Sequence, residues 1–318
     1  MARERIMSAT TMMAHVELYL ALRRAMGFEL GIAGKQLMQF ARFVQEAGGG
    51  PLTLDLAVAW ASSTHSLERI TRARRIEVLR PFAKYLQQMD AATEVPERDL
   101  FGRAHRRLTP HIFTTEEIEQ LLDAAAHLPP ADSLRPITYQ TLFGLIATTG
   151  LRLGEAVRLE LDDVDLAAAR LTVRHTKFRK SRLVALHSTA VEQLQRYAQS
   201  RSQRASGTGH FFVARHGAAL NVAMVDHVFQ QLRAALGWHP RGGHRTVRIH
   251  DLRHTFITRR LAQWQENGAN IDQTTLALST YVGHAKVTDT YWYLTAIPEL
   301  MQPASLRFQR FVAGACDG

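Results

Sequence analysis

A break between about residues 90 and 111 is the feature that most limits what this chain can fold into. The segment holds two prolines and the basic run RAHRR at 103–107, and it lacks the regular apolar spacing of a helix. A Thr-x-x-Glu pattern at 114–117 follows, which is typical of a capping box at the start of a helix. The sequence therefore predicts two domains, residues 1–107 with the linker and residues 108–318, as the total length of 318 residues also favours.

The first domain is predicted to be helical. Between about residues 12 and 89, apolar residues recur at helical spacing in four segments, which are separated by glycines and polar residues. The fourth segment, from about 66 to 89, contains Pro81 and is expected to kink there. From Arg69 to Lys84 it carries six cations against the single anion Glu77. A charged helix face is often only solvated surface, but an excess of one sign favours a surface that contacts phosphate.

The second domain is predicted to combine helices with a small sheet. It is largely helical as far as Val157, and two alternating, β-branched segments then flank a polar turn, at 171–175 and 182–187. These segments predict an antiparallel hairpin. A helix at 222–236 and a basic loop at 238–248 follow. The predicted fold class is mainly α with a small antiparallel β-sheet, a helical domain joined to an α+β domain.

The charge of the chain points to a polyanionic partner. The net charge is +10 and the isoelectric point is about 10.2. DNA is the common partner of so basic a protein, although a basic protein without such a partner is the alternative. The single cysteine, Cys316, excludes a disulfide within the chain and fits a reducing cytoplasm. Because there is no apolar run of about 18 residues, no membrane span is expected. The expected location is the cytoplasm, in association with the nucleoid.

Six residues of the second domain suit phosphate chemistry. In chain order they are Arg152, Lys177, His250, Arg253, His284 and Tyr293. Arginine binds phosphate oxygens in a bidentate manner, and lysine and histidine can move protons. A tyrosine can attack phosphorus and become covalently attached to it. The set therefore indicates cleavage and rejoining of a phosphodiester through a phosphotyrosine, with no metal and no other cofactor.

The motifs around these residues resemble those of the tyrosine recombinase family, also called phage integrases. The segment 148–165, with Glu155 three residues after the arginine, is similar to the family's first motif. The segment HDLRHT at 250–255 is similar to the second motif, and GHAKVTDTYWY at 283–293 to the third. The first third of the chain also resembles the family's core-binding domain. One departure is that the stretch between the second and third motifs is longer than in compact Xer-type members.

The resemblance implies a two-domain DNA clamp and a role for each member of the set. Three residues would hold the scissile phosphate, namely Arg152, Arg253 and His284. His250 would take the proton of the nucleophile Tyr293, and Lys177 would protonate the leaving 5′ oxygen. Glu155 would orient His250 or the arginines. The product would be a 3′-phosphotyrosine and a free 5′ hydroxyl.

The resemblance also implies partners. It predicts duplex DNA with an inverted-repeat core site, a homotetramer or a hetero-oligomer with a related recombinase, and accessory proteins. The candidate DNA contacts are Arg69, Arg72, Arg75, Arg179, Arg241 and Arg245. The apolar segment after Tyr293 is expected to dock on a neighbouring protomer, with packing on its own domain as the alternative. We expect a mobile element to encode the protein.

Several alternatives stay open at this point. Tyr291 competes with Tyr293 as the nucleophile, although the nine-residue step from His284 favours Tyr293. His250 and His254 have the i, i+4 spacing of a zinc pair, but a third ligand is not evident nearby, so His254 is predicted to pack or to support its neighbours. A type IB topoisomerase shares the residue set, and an idle DNA-binding factor would bind DNA without cleaving it.

Overall fold

The structure, a computed structural model, describes residues 11–63, 68–104, 107–174, 181–204 and 208–296. Two of the predicted site residues, Lys177 and Arg179, lie outside these ranges, as does the apolar segment after residue 296. The chain divides between Arg107 and Leu108 into two compact units. Each unit has its own hydrophobic core.

The described part of the first unit contains four helices. They are α1 (Met12–Ala25), α2 (Gly31–Glu46), α3 (Leu54–Ser62) and α4 (Arg69–Gln87). Threonine side chains cap the starts of α1 and α3, as expected for residues that accept from the first free backbone N–H groups. Helix α4 continues through Pro81. The rings of Phe40 and Trp60 meet edge to face at 5.2 Å in the core, so aromatic packing joins α2 to α3.

The second unit contains helices and a three-stranded sheet. Its described helices are α5 (Thr115–Ala126), α6 (Arg135–Thr149), α7 (Leu153–Val157), α8 (Ser188–Arg204), α9 (Val222–Ala235), α10 (His250–Glu266), α11 (Ile271–Val282) and α12 (Thr288–Ala296). The strands are β1 (Val164–Asp165), β2 (Arg170–Val173) and β3 (Arg182–Ala185). The sheet is antiparallel in the order β1-β2-β3, and Leu171 pairs with Val184. The predicted fold class is confirmed.

The sequence signals explain several of these elements. The capping box at the start of α5 is present, since Thr114 accepts from the backbone of Glu117 and the Glu117 side chain accepts from the backbone of Thr114. The predicted hairpin forms as β2 and β3. The third strand, β1, pairs only two residues with β2 and was not predicted from the sequence.

Helix α6 lies at the centre of the second unit. Its residues Leu142, Phe143 and Ile146 are fully or almost fully buried, and it contacts α5, α8 and α10. A smaller apolar cluster joins α10, α11 and α12 and includes Ile257 and Tyr293. Helix α10 thus takes part in both clusters, which fixes its first turn within the unit. Within the described residues, every helix is too short or too polar to cross a membrane.

Candidate active site

Long-range contacts bring the candidate residues of the second unit together. Arg152, at the start of α7, donates to the carbonyl of Gly283, which is 131 residues further along the chain. Arg253, in the first turn of α10, reaches the carbonyl of Gly150. The rings of His284 and Tyr293 stack at 6.4 Å. Five of the six predicted catalytic residues therefore belong to one cluster, and the sixth, Lys177, lies outside the described residues.

Two glycines allow the turns at this site to approach the neighbouring side chains. Gly150 ends α6 with φ of 64°, and a Cβ there would lie 2.5 Å from the ring of Phe256. Gly283 ends α11 with φ of 70°, and a Cβ there would lie 2.6 Å from Arg182 Nη1. Both positions need the left-handed backbone that glycine adopts readily. Glycine therefore sets the paths that lead to Arg152 and to His284.

Glu155 is buried between two arginines. Its carboxylate accepts from Arg152 Nη1 at 2.7 Å and from Arg182 Nη1 and Nη2 at 3.1 and 2.8 Å. Burial raises the pKa of Glu155, but the hydrogen bond and charge of Arg182, together with the contacts from Arg152, outweigh it and lower the pKa to about 2. The sequence predicted that Glu155 orients either His250 or the arginines, and the contacts that the structure describes are with arginines.

Arg182 is a site residue that the sequence analysis missed. It lies at the start of β3, donates from Nε to the carbonyl of Tyr281 at 2.8 Å, and binds both oxygens of Glu155. In the sequence, Arg182 has the position of an ordinary residue of the predicted hairpin. The available signal for Arg182 was Glu155. A buried carboxylate accepts several hydrogen bonds, so a second donor besides Arg152 had to lie close to it.

Arg253 is a buried cation held by neutral groups. Its side chain is 1% exposed and donates to the carbonyls of Gly150 at 2.6 Å and Val282 at 2.8 Å. Burial and then the charge of Arg152 lower the pKa of Arg253 to about 9, so the guanidinium still carries its charge at neutral pH. Among the described residues, no carboxylate forms an ion pair with it. A buried charge of this kind is expected to attract an anion.

The two predicted catalytic histidines differ in their surroundings. His284 Nδ1 lies 2.7 Å from the hydroxyl of the fully buried Thr290, which fixes the orientation of its ring. His250 is exposed at the start of α10. Desolvation by its neighbours and then the charge of Arg253 lower the pKa of His250 to about 4. The nearby arginine charges favour the neutral form of the ring.

The two candidate nucleophiles have different partners. Tyr293 is 3% exposed, and its hydroxyl lies 2.6 Å from Nδ1 of His254. Tyr291 donates its hydroxyl hydrogen bond to Asp272 of α11 at 2.7 Å. Only Tyr293 of this pair contacts the cluster of histidines, which agrees with the spacing argument that favoured it.

His254 contacts the candidate nucleophile. It was predicted to pack or to support its neighbours, and its ring nitrogen lies beside the hydroxyl of Tyr293. The same ring meets His250 edge to face at 4.8 Å. No group of three His, Cys, Asp or Glu side chains that could hold a metal ion occurs in the described part of the chain. The zinc alternative therefore gains no third ligand from the described residues.

Asp251, which lies between these two histidines in the chain, supports the start of α10. It is fully buried and accepts from the backbone N–H of Arg248 at 2.8 Å and from Arg248 Nη2 at 2.6 Å. Thr255 bonds to the Asp251 carbonyl and accepts from the backbone of Phe113. This network anchors the turn that carries His250.

Three of the candidate DNA contacts are engaged within their own units. Arg69 donates to the carbonyl of Phe101 at 2.8 Å. Arg75 donates to the carbonyl of Trp60 at 2.5 Å and lies 4.4 Å from its ring centroid. Arg241 binds both oxygens of Glu117 at 2.6 Å. The sequence suggested that these three arginines are available to contact DNA, whereas the structure gives each of them a partner within its own unit.

The remaining candidates differ in exposure. Arg72 is half-buried on α4, whereas Arg245 is exposed in the loop before α10. Arg179 lies outside the described residues.

Solved structures share this fold at low sequence identity. The Tn1549 transposon integrase, in complex with transposon right end DNA, superposes with a TM-score of 0.68 at 17% identity, covering 95% of this chain and 100% of that one. The XerH site-specific recombinase, bound to palindromic difH substrate, gives 0.63 at 20% identity, covering 86% of this chain and 78% of that one. These similarities establish the architecture.

Sequence comparisons establish the family. The integrase/recombinase y4rB of Sinorhizobium fredii is 37% identical over 301 residues, which covers 93% of this chain and 96% of that protein. The tyrosine recombinase XerD of Mycobacterium tuberculosis is 30% identical over 241 residues, covering 73% and 71%. The phage integrase family model matches residues 111–299, more than half of the chain and all of the described site. The chain belongs to the phage integrase family of tyrosine recombinases.

Proposed function

We propose that this protein recombines DNA at specific sites through a 3′-phosphotyrosine intermediate, and that a mobile element encodes it. The observation that carries the proposal is Arg253, a buried guanidinium that two carbonyls orient and no described carboxylate neutralises. A phosphodiester is the anion that suits it, because its negative charge increases as the phosphorane forms. Tyr293, in the same cluster, supplies a nucleophile.

The phosphate-binding groups act together in the proposed mechanism. Arg152 and Arg253 each donate to a carbonyl at the end of α11, so their positions depend on the same turn. His284 follows that turn directly and is oriented by Thr290. These three side chains hold the non-bridging oxygens of the scissile phosphate and stabilise the transition state more than the ground state.

Proton transfer at the two ends of the reaction needs two further groups. Lys177 protonates the 5′ oxygen as it leaves, and a histidine removes the proton of Tyr293, because a phenol in water has a pKa near 10 and is protonated at neutral pH. The phosphotyrosine keeps the energy of the broken phosphodiester bond, so a 5′ hydroxyl can reverse the step without ATP. The strand is then rejoined to a new partner.

The proposed partner is duplex DNA with an inverted-repeat core site. The related structures support this assignment, since XerH is bound to a palindromic substrate and a lambda integrase tetramer is bound to a Holliday junction. A net charge of +10 favours DNA as the partner. We propose that both units bind the duplex and that four protomers, with accessory proteins, form the synaptic complex. The transposon integrase among the related structures favours a mobile element.

A covalent trapping experiment tests this function. A duplex site selected from a random pool is nicked a few nucleotides beyond the cleavage position. Cleavage then releases a short fragment that carries the free 5′ hydroxyl, and because this fragment diffuses away, the covalent adduct accumulates. The expected result is a protein–DNA band on a denaturing gel that protease removes and that Tyr293→Phe abolishes. A protein that binds the site and yields no adduct would be an idle DNA-binding factor. Exchange between two sites, in preference to relaxation of supercoiled DNA, distinguishes the recombinase from a type IB topoisomerase.

A further inference from the structure

The basic loop at 238–248 is joined to the start of the second unit by an ion pair that the proposed mechanism does not use. Arg241, in this loop, binds both carboxylate oxygens of Glu117 on α5 at 2.6 Å. We propose that Arg241 and Glu117, together with His111, form a brace that positions the loop and, through it, the first turn of α10. The inference rests on the proposed function and adds Arg241 and Glu117 to it as positioning residues.

The geometry of this ion pair sets it apart from an ordinary surface pair. Arg241 uses both terminal nitrogens on Glu117, and its Nη2 also donates to the carbonyl of Ile112 at 2.7 Å. The Glu117 side chain is only 13% exposed, although that of Arg241 is 50% exposed. An exposed pair with a single contact contributes little, whereas a bidentate pair that also holds a backbone carbonyl fixes the position of the guanidinium. The side chain therefore ties the loop to two places at the start of the second unit.

His111 completes the brace from the buried side. It is 1% exposed, and its Nδ1 accepts the backbone N–H of Arg241 at 3.3 Å. This contact assigns the ring proton to Nε2, which lies 3.3 Å from the carboxylate of Glu117. Burial and then the charge of Arg241 lower the pKa of His111, so the ring is neutral at neutral pH. One neutral ring thus contacts both members of the ion pair.

Two glycines let the backbone of the loop lie directly against the start of the second unit. A Cβ at Gly242 would collide with backbone atoms of Thr109 and Pro110, so the close approach requires glycine there. The backbone N–H of Gly243 donates to the carbonyl of Thr109 at 2.8 Å and to its hydroxyl at 3.0 Å. The backbone of the loop and the side chain of Arg241 therefore bind the same short segment.

That segment continues to α10. Phe113 donates its backbone N–H to the hydroxyl of Thr255 at 2.9 Å, and this hydroxyl donates to the carbonyl of Asp251 at 2.8 Å. The side chain of Asp251 holds Arg248, at the end of the loop. The first turn of α10 is thus connected to the segment directly and through the loop. It carries two of the candidate catalytic residues, so the position of the brace bears on both.

The brace gives Arg241 a role that differs from a phosphate contact. A shift of the loop would move the turn that carries His250 and Arg253, and a displacement of about 1 Å in reacting groups can cost about 100-fold in rate. Loss of the brace should therefore slow the cleavage of bound DNA. Loss of a phosphate contact would instead weaken binding and reduce its salt dependence. The two roles can be separated by measuring cleavage and binding independently.

The test compares charge with geometry at position 241. Arg241→Lys keeps the charge but cannot bind a carboxylate in a bidentate manner, and Arg241→Met removes the charge and keeps an apolar stem. Glu117→Gln removes the ion pair and keeps an oxygen for the backbone of Thr114, and it is made alone and with Arg241→Met. Glu119→Gln, at an exposed position of α5, is the matched control for the loss of a carboxylate.

Three measurements are made on each variant. Single-turnover cleavage of the nicked selected duplex at saturating protein gives the rate, duplex binding across a salt series gives the slope, and urea unfolding shows that the variant is folded. The expected rate is about 10- to 100-fold lower in Arg241→Lys, Arg241→Met and Glu117→Gln, with an unchanged salt slope. The double variant should lie within about twofold of the slower single variant, because the two side chains act through one contact. Glu119→Gln should match the wild type.

Other outcomes would overturn the brace. A salt slope reduced by about 0.9 in Arg241→Met, with Arg241→Lys cleaving at the wild-type rate, would make Arg241 a phosphate contact. Wild-type rates in folded variants that unfold more easily would confine the pair to stability of the fold. Losses that multiply in the double variant would show that the two residues act separately. A wild-type protein without any adduct would overturn the proposed function, and this inference with it.

Discussion

The carboxylate of Glu155 accepts two hydrogen bonds from the guanidinium of Arg182, at 2.8 and 3.1 Å, and so joins the sheet to the turn that carries Arg152. The pair is largely withdrawn from solvent, with side-chain exposures of 4% for Glu155 and 10% for Arg182. A buried carboxylate paired in this way stabilises the folded state only while it is ionised. The stability of the second unit should therefore decrease at acidic pH, as Glu155 becomes protonated.

Glu155→Gln should remove part of the acid sensitivity of the second unit. The pKa of Glu155 is lowered from 4.5 to about 2, so its stabilising contribution is present above pH 4.5 and is lost as the pH falls towards 2. A difference of about 2.5 units corresponds to roughly 3 kcal/mol at most. Urea unfolding between pH 7 and pH 2.5 should give a shallower decline for the variant than for the wild type. The exposed Glu119 on α5 provides the control as Glu119→Gln, and equal declines in all three proteins would contradict the prediction.

Tyr293→Phe and Tyr291→Phe should have opposite effects on the covalent adduct. Phenylalanine at 293 keeps the buried ring and removes only the oxygen that contacts His254, so DNA binding should persist while the adduct disappears. Tyr291→Phe removes a hydrogen bond to Asp272 and should keep most of the adduct. The trapping gel described above measures both. An adduct from Tyr293→Phe that is absent in Tyr291→Phe would identify the other tyrosine as the nucleophile.

The sequence predicted the elements better than the contacts between them. Capping and periodicity are local properties, and they gave the start of α5, the hairpin of β2 and β3, and the helical first unit. Strand β1 was missed because two residues are too short for an alternating pattern. The order of the motifs gave the candidate catalytic residues, since phosphate chemistry restricts the residue types that can perform it.

Pairwise contacts were less predictable because they depend on the tertiary fold. Arg182 and Glu155 are 27 residues apart in the chain, and nothing local in the sequence shows that they meet. Arg75 and Arg241 carry the same charge as a DNA-contacting arginine, yet the fold gives them Trp60 and Glu117 as partners. Composition can indicate that a surface is basic, but it cannot say which cations remain available to DNA.

Arg72→Gln and Arg75→Gln should separate DNA contact from packing on the same helix. Arg72 is half-buried on α4, and its loss should reduce the slope of log affinity against log salt by about 0.9, one phosphate contact, for all DNA sequences alike. Arg75 holds the Trp60 carbonyl and covers its ring, so its loss should mainly lower the free energy of unfolding of the first unit, by about 1 kcal/mol. Filter binding across a salt series and urea unfolding measure the two effects. The same slope change in both variants would refute the distinction.

Lys177→Ala should fail because the leaving 5′ oxygen is no longer protonated. An alkoxide leaves poorly without a proton, whereas a thiolate leaves readily, so a substrate with sulfur at the 5′-bridging position should restore cleavage to this variant. The same substrate should do little for Arg152→Ala, because the guanidinium, which Glu155 and Gly283 hold in place, is proposed to stabilise charge on the phosphate and not to protonate the leaving oxygen. Single-turnover cleavage of matched substrates, with oxygen or sulfur at the bridging position, gives the ratio of the two cleavage rates for each variant. Equal ratios in the two variants would remove Lys177 from the general-acid role, and Lys180, three residues later, would then be the next lysine to test.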